Sequence, residues 1–227
     1  MSDNDQRKQK EVILVATDAA NTVVDIDGNV YRTVKIGSQI WMAENLRVIH
    51  YRNGDPIQND ASVYSWGHSC KTWGAYCEYD NDINNVITYG RLYNWFAVNE
   101  ERLLAPVGWH VPSDAEWKQL ERHIGLREIE LDKYGSRGFN ENGRSANVKE
   151  RLIATGFSLI FGGHRQCAGD CMYLGMGMTA CFWTSDEHHG TYAWYRELWN
   201  KYDDEITRQF YEKGAKPSGL SVRCVKD

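Results

Sequence analysis

Helix and strand signals segregate along this chain, and that segregation limits its fold more than any other feature. Pro112-Ser113-Asp114-Ala115-Glu116 is a capping box. Ser113 can accept from the Glu116 amide while the Glu116 carboxylate reaches back. Trp117, Leu120 and Ile124 then recur on one face, and Gly125 supplies a stop. An earlier helix is predicted over residues 88–98, where Tyr89, Leu92, Tyr93 and Phe96 fall at helical spacing. From Phe157 onward, short apolar runs alternate with Gly and Asp/Asn turns, the pattern of antiparallel strands. Helices early and strands late predict an α+β fold.

The remaining segments fit this scheme. Residues 1–22 read as a polar tail with a first strand forming at its end. Asp27-Gly28-Asn29 lies between Val23-Val24 and Val30-Tyr31, which predicts a hairpin. Residues 34–41 and 46–51 continue the extended pattern, and residues 126–147 read as a long polar loop. No repeat or linker divides residues 23–227, which are taken as one domain.

Charge narrows the partners. With 26 Lys and Arg against 31 Asp and Glu, the net charge is −5, and the one short basic run is Arg7, Lys8 and Lys10. A surface that tracks phosphates needs clustered cations, so no nucleic acid is expected. The apolar runs are a few residues long, so no membrane span is expected. The first residues lack the apolar core of a secretion signal. The chain is instead rich in rings: 9 Trp, 13 Tyr and 6 Phe. Such rings fill cores, and Tyr and Trp also serve binding surfaces.

Nine ordered segments resemble one family. They are Asp25-Ile-Asp-Gly-Asn-Val-Tyr31, Ile40-Trp-Met-Ala-Glu-Asn-Leu-Arg47, Gly74-Ala-Tyr-Cys77, Tyr89-Gly-Arg-Leu-Tyr-Asn-Trp95, Gly108-Trp-His-Val-Pro-Ser-Asp-Ala-Glu-Trp117, Gly162-Gly-His-Arg165, Phe182-Trp-Thr-Ser185, Ala193-Trp-Tyr-Arg196 and Ser221-Val-Arg-Cys224. In this order they resemble the Fibrobacter succinogenes major paralogous domain over residues 23–227. The resemblance implies a C-type-lectin-like fold, with two helices packed on small antiparallel sheets and long loops, related to formylglycine-generating enzymes and to the variable proteins of diversity-generating retroelements. It also implies an extracellular or cell-surface setting in bacteria, with adhesion as a natural role. It implies a disulfide between Cys77 and Cys224, since both stand where the family often has Cys.

Catalytic groups are sparse. The oxidising Cys pair of the formylglycine-generating enzymes has no counterpart, because no Cys lies between Trp183 and Gly219. There is no Gly-x-Ser-x-Gly elbow and no phosphate-cradling loop. Asp186, Glu187, His188 and His189 have the residue types of a metal site, and a solvated polar turn is the plainer reading. The prolines form no Glu-Pro-Asn or Gln-Pro-Asp triplet, so the calcium-dependent sugar site of lectins is missing. Asp80-Asn81-Asp82-Ile83-Asn84 begins like an EF-hand, but the required Gly is Asn85 and the closing Glu is Arg91. The expectation is a domain without a cofactor, with room for calcium in another geometry at this turn; the plain alternative is a turn leading into the first helix. His164, Cys167, Cys171 and Cys181 have the residue types of a Cys3His zinc site at non-standard spacing. A local disulfide among these three Cys, or free thiols, are the competing readings.

The candidate ligand surface lies late in the chain. In a strand over residues 192–205, Trp194, Arg196 and Leu198 share one face, and Tyr195, Glu197, Trp199 and Lys201 share the other. Trp194 and Leu198 are expected inside. The resemblance to lectin-like variable proteins then makes Tyr195, Glu197, Trp199, Lys201, Asp203, Glu205 and Arg208 the expected contacts with a protein or glycan ligand. Gly162 and Gly163 are expected in a tight turn, and Trp183 in the core. Three functions compete: a binding domain (the leading one), a metal-assisted enzyme using the His164 group, and a structural domain of a surface appendage.

Overall fold

The computed structural model describes residues 21–60, 73–138, 142, 147–167, 171–201, 205–210 and 212–227. The tail predicted before residue 21 lies outside these, as do Cys70 and Asp203. In chain order the described strands are β1 (Thr22–Val24), β2 (Val30–Ile36), β3 (Gln39–Met42), β4 (Gln58–Asn59), β5 (Ala75–Cys77), β6 (Leu92–Tyr93), β7 (Trp109–His110), β8 (Gly135–Arg137), β9 (Gly162–Gln166), β10 (Met172–Met176), β11 (Thr179–His189), β12 (Tyr192–Trp199), β13 (Ile206–Gln209) and β14 (Val225–Lys226). The helices are α1 (Val86–Tyr89), α2 (Trp95–Val98), α3 (Asp114–His123), α4 (Glu128–Leu131) and α5 (Val148–Ala154).

These form a mixed α+β fold dominated by sheet. One sheet has the order β1-β2-β3-β14-β7, a second β10-β9-β11-β12-β13-β8, and a small third β4-β5-β6. The β1–β2 hairpin forms where expected, with Val24 opposite Val30. Its turn needs Gly28, whose φ is +78°. It is closed by Asp25, which accepts from the amides of Asp27 and Asn29 at 2.9 Å and from the Tyr31 hydroxyl at 2.6 Å.

Alternation along β11 and β12 builds the interior. Cys181, Trp183, Ala193 and Tyr195 point to one side, into a core shared with Tyr31, Met42, Tyr93 and Val222. Ala180, Phe182 and Leu198 point to the other side, under α3, with Trp41, Trp117, Leu120 and Phe157. Trp117 lies 5.0 Å from Trp41 and 5.6 Å from Phe182, ring to ring. Trp183 is buried as expected, its indole N–H donating to the Tyr93 carbonyl at 2.7 Å. The capping box at Ser113 is complete, and Trp117, Leu120 and Ile124 are buried.

Several expectations are corrected. Residues 88–98 are not one helix. Gly90 (φ +77°) ends α1, and Asn94 starts α2 by accepting from the Ala97 amide. A side chain at Gly90 would press its Cβ to 2.6 Å from the Asn45 side chain, so only glycine fits this close approach. Residues 46–51 add no strand beyond the single bridge of His50 to Pro56. Within residues 126–147, expected as loop, lie α4 and β8. His188-His189 closes β11, and the turn falls at Gly190-Thr191. Gly162 and Gly163 lie in β9, not in a turn. At Gly163 (φ +67°) a Cβ would come within 2.5 Å of the Leu174 carbonyl and 2.6 Å of the Tyr79 ring.

A buried charge network fastens α3 to the second sheet. Glu121 is fully buried. It accepts from Arg137 through two bonds of 2.7 Å and from Arg196 at 2.6 Å. About two turns before, Asp114 receives Arg208 through two bonds of 2.8 Å, Arg196 at 2.9 Å and Lys118 at 2.8 Å. Removing one member of such a set leaves the others uncompensated in a dry interior, at about 3–5 kcal/mol. Glu121→Gln should therefore lower the unfolding free energy by about that amount in urea titrations. Arg122→Gln, which breaks a solvent-screened exposed pair with Glu128, should leave the urea midpoint close to that of the wild type.

Candidate ligand-binding surface

The residue row expected to face a ligand is mostly interior. Tyr195 is 2% exposed and packs edge-on to Trp183 at 6.4 Å. Glu197 is buried and paired with Lys213. Arg208 is buried against Asp114. Trp199 is 36% exposed, Lys201 is exposed and Glu205 is half-buried. The physical reason is that β12 is an internal strand covered on both faces. Helix α3 covers one. Residues 212–218 cross the other: a Cβ on Gly214 would lie 2.8 Å from the Ala193 carbonyl and 3.2 Å from the Tyr195 ring. Leu198 is buried as expected, but Trp194 is only half-buried.

Trp194 belongs to a group of rings where the sheet extends past the start of α3. The β11–β12 hairpin contributes His188, His189, Tyr192 and Trp194; Phe210 follows β13, and Tyr134 precedes β8. His188 stacks on Phe210, 3.6 Å between centroids and 4° between planes. Trp194 meets both edge-on, at 4.7 Å from His188 and 5.2 Å from Phe210. His189 and Tyr192 pack beside Phe210 at 5.8 and 6.3 Å, and Tyr134 lies 5.2 Å from it. None of these six rings is fully buried. The edge-on pairs suit the ring quadrupoles and hold the rings in fixed positions.

The charge network supports this shelf. The Arg208 guanidinium lies 3.5 Å over the Trp194 ring, close enough for a cation–π contact, while both its ends are held by Asp114. Burial alone would raise the Asp114 carboxyl; the Arg208 hydrogen bonds, with Arg196 and Lys118, hold it well below the ordinary value. Asp186 caps α3 by accepting from the Asp114 amide. Desolvation, then His189 and Arg208, lower the His188 pKa and so favour its neutral ring. The shelf is thus a rigid, largely uncharged surface suited to covering the C–H face of a sugar or an apolar side chain.

The sequence held part of this signal, since Tyr192 and Trp194 alternate on one face. It did not show where α3 stops covering that face, or that Phe210 arrives from another strand.

The metal-type clusters resolve differently. Cys167 and Cys171 form a disulfide, one of the readings given for the Cys group. Two sulfurs of the Cys3His set are therefore bonded to each other. Cys181 remains a buried thiol 3.9 Å from the His164 Nδ1. Among the described residues no group of His, Cys, Asp and Glu converges to hold a metal. The Cys77–Cys224 bond is absent: both are buried free thiols, and they sit in separate clusters, Cys77 with Tyr79 and Leu92, Cys224 with Val222 and Trp183. At Asp80-Asn81-Asp82 the chain makes a turn into α1. Asp80 and Asn81 have φ of 54° and 56°, and Asp82 accepts from the Asn84 amide at 2.9 Å.

The family model described as the Fibrobacter succinogenes major domain matches residues 34–226. No curated protein and no solved structure matches the chain.

One buried group gives the domain an acid-sensitive point. His164 is buried, its Nε2 has no hydrogen-bond partner, and desolvation with the Lys213 charge pulls its pKa down to about 4. An unfolded His titrates near 6.5. The neutral form is the folded form, so its stability contribution is complete above about pH 6.5 and is lost as pH falls toward 4. At about 1.4 kcal/mol per unit, the loss is on the order of 3 kcal/mol. His164→Gln should flatten this acid limb in denaturant titrations repeated across pH; an unchanged limb would show that His164 does not carry it.

Proposed function

The chain belongs to the Fibrobacter succinogenes major domain family, and from that premise we propose that it is a non-catalytic recognition domain of C-type-lectin-like fold. Its ligand is a protein or a glycan met at a bacterial or phage surface. The contact surface is the ring shelf of His188, Tyr192, Trp194 and Phe210, not the strand row read from the sequence. The observation that carries this reading is the shelf itself. It is a partly exposed set of stacked and edge-on rings, immobilised by a guanidinium that the α3 network holds in place. Rigid aromatic groups give contact area at low entropic cost, which is why they anchor recognition sites. The lectin-like fold is supported by the long capped helix packed across a twisted antiparallel hairpin, and by the sequence segments shared with the family. No described helix is long and apolar enough to cross a membrane.

A screen of the purified chain on glycan and surface-protein arrays tests the proposal. Tyr192→Ala/Phe210→Ala and Trp199→Ala/Lys201→Ala run beside the wild type, with circular dichroism confirming that each is folded. Removing two anchor rings should weaken binding by at least about tenfold, while the Trp199/Lys201 variant should retain it. Binding that survives loss of the shelf rings, or that disappears only with Trp199 and Lys201, would overturn the assignment. No binding by the wild type would return the domain to a structural role.

A further inference from the structure

Helix α3 has the ring shelf past its start and an open groove at its end, about 15 Å away along the axis. The groove has a volume of about 490 Å³. Lys35 from β2, His123 and Ile124 from the end of α3, Gly125 after it, and Arg151 and Thr155 from α5 and its end help to line it. Among the described residues no Asp or Glu lines it. Two glycines shape its walls. At Gly125 (φ +94°) a side chain would collide with the Arg151 guanidinium, and at Gly37 (φ +61°) a Cβ would lie 3.1 Å from the His123 ring. Both glycines thus let a basic side chain lie close to the backbone.

These basic groups lack counter-charges. Among the described residues the Lys35 and His123 side chains make no hydrogen bond or ion pair, and the Arg151 guanidinium reaches only the Ile124 carbonyl, at 3.3 Å. Acids are not scarce, since the chain has 31 Asp and Glu against 26 Lys and Arg. Other surface cations do find them: Arg32 pairs with Glu44, Arg122 with Glu128 and Arg127 with Glu130. Part of the groove's charge answers the helix ends. Both α3 and α5 terminate here, and each C-terminus carries roughly half a unit of negative charge. The backbone already closes several of those carbonyls. The Leu126 amide donates to Glu121 at 2.9 Å, Gly125 to Arg122 at 3.0 Å, and Gly156 to Ile153 at 3.0 Å. Two full cations and an imidazole exceed what is left, and like charges gathered in one place repel.

We infer that this groove is an oxyanion site, which takes a sulfate or phosphate group either free or carried on a sugar. The donors come from three separate elements: an ammonium from β2, an imidazole from α3 and a guanidinium from α5. A tetrahedral oxyanion has enough oxygens to meet all three, whereas a carboxylate has two. Filling the groove removes the repulsion among its own basic groups, so the bound anion gains from each of them. Its volume is that of a small-molecule site, with room for a carrier around the charged group. The site lies at the opposite end of α3 from the shelf, and the inference is independent of what the shelf binds.

Heteronuclear NMR of the isotope-labelled full chain tests it, with inorganic phosphate and a sulfated disaccharide titrated separately. Sodium chloride holds the ionic strength constant, so that general screening does not change. Saturable shifts should appear at the amides of Gly125, Arg151 and Thr155. Lys35→Glu should weaken binding by at least about tenfold, the loss expected when a charged donor is replaced. Lys226→Glu makes the same charge change at an exposed position outside the groove and should leave binding unchanged. Neither lysine side chain bonds to another described residue, and circular dichroism checks that both variants are folded. Saturation by phosphate identifies a free anion as sufficient; saturation by the disaccharide alone identifies the carried group. Failure of both to saturate overturns the inference. So do shifts spread over the whole surface, or equal losses in the Lys35→Glu and Lys226→Glu variants.

Discussion

A carboxylate removed from water must be neutralised where it lies, and Glu121 meets that requirement with two guanidiniums from two different strands. The consequence is geometric. Arg196 comes from β12 and Arg137 from β8, so satisfying Glu121 fixes α3 across three neighbouring strands of the second sheet. Asp114 repeats the arrangement at the helix start with Arg196, Arg208 and Lys118. Apolar contacts between Trp117, Phe182 and Phe157 supply cohesion, but they would tolerate small shifts of the helix along the sheet. Paired charges would not, because a displaced helix strands an ion in a dry interior.

Fixing α3 also fixes where it stops. Ser113 ends the helical cover, and the hairpin face that continues past it is left partly open. Arg208 joins the two regions: one end of its role is the bidentate pair with Asp114, the other is the cover over Trp194. The same guanidinium raises the cost of a second positive charge nearby, which contributes to keeping His188 neutral and able to stack on Phe210. Helix position, ring placement and the protonation state of the shelf therefore descend from one set of ion pairs.

What the sequence revealed follows from how local each signal is. The Ser113–Glu116 box, the Trp117-Leu120-Ile124 face and the Gly28 hairpin each lie within a few residues, and all three are present. The disulfide between Cys167 and Cys171 was one of the local options and closes a short loop. Residues 88–98 misled because the ring spacing was helical, whereas Gly90 and the Asn94 cap divide the segment. The candidate row on β12 misled for a different reason. Side chains alternate along β12 as the sequence predicts, but which face is covered depends on α3 and on residues 212–218, both distant in sequence. Glu121 and Arg196 are 75 residues apart, and no spacing rule connects them.

This division bears on why the domain keeps ions in its interior at all. Buried pairs add little net stability compared with apolar replacements of the same volume, so stability is a weak reason for them. Here they define an edge. An apolar core could slide by a turn and still bury the same rings, covering Trp194 or uncovering Leu198 as it moved. With Asp114 held by three cations and Glu121 by two, the boundary between covered and open sheet is set to a single residue register. The ring surface proposed for recognition needs that boundary fixed more than it needs additional cohesion.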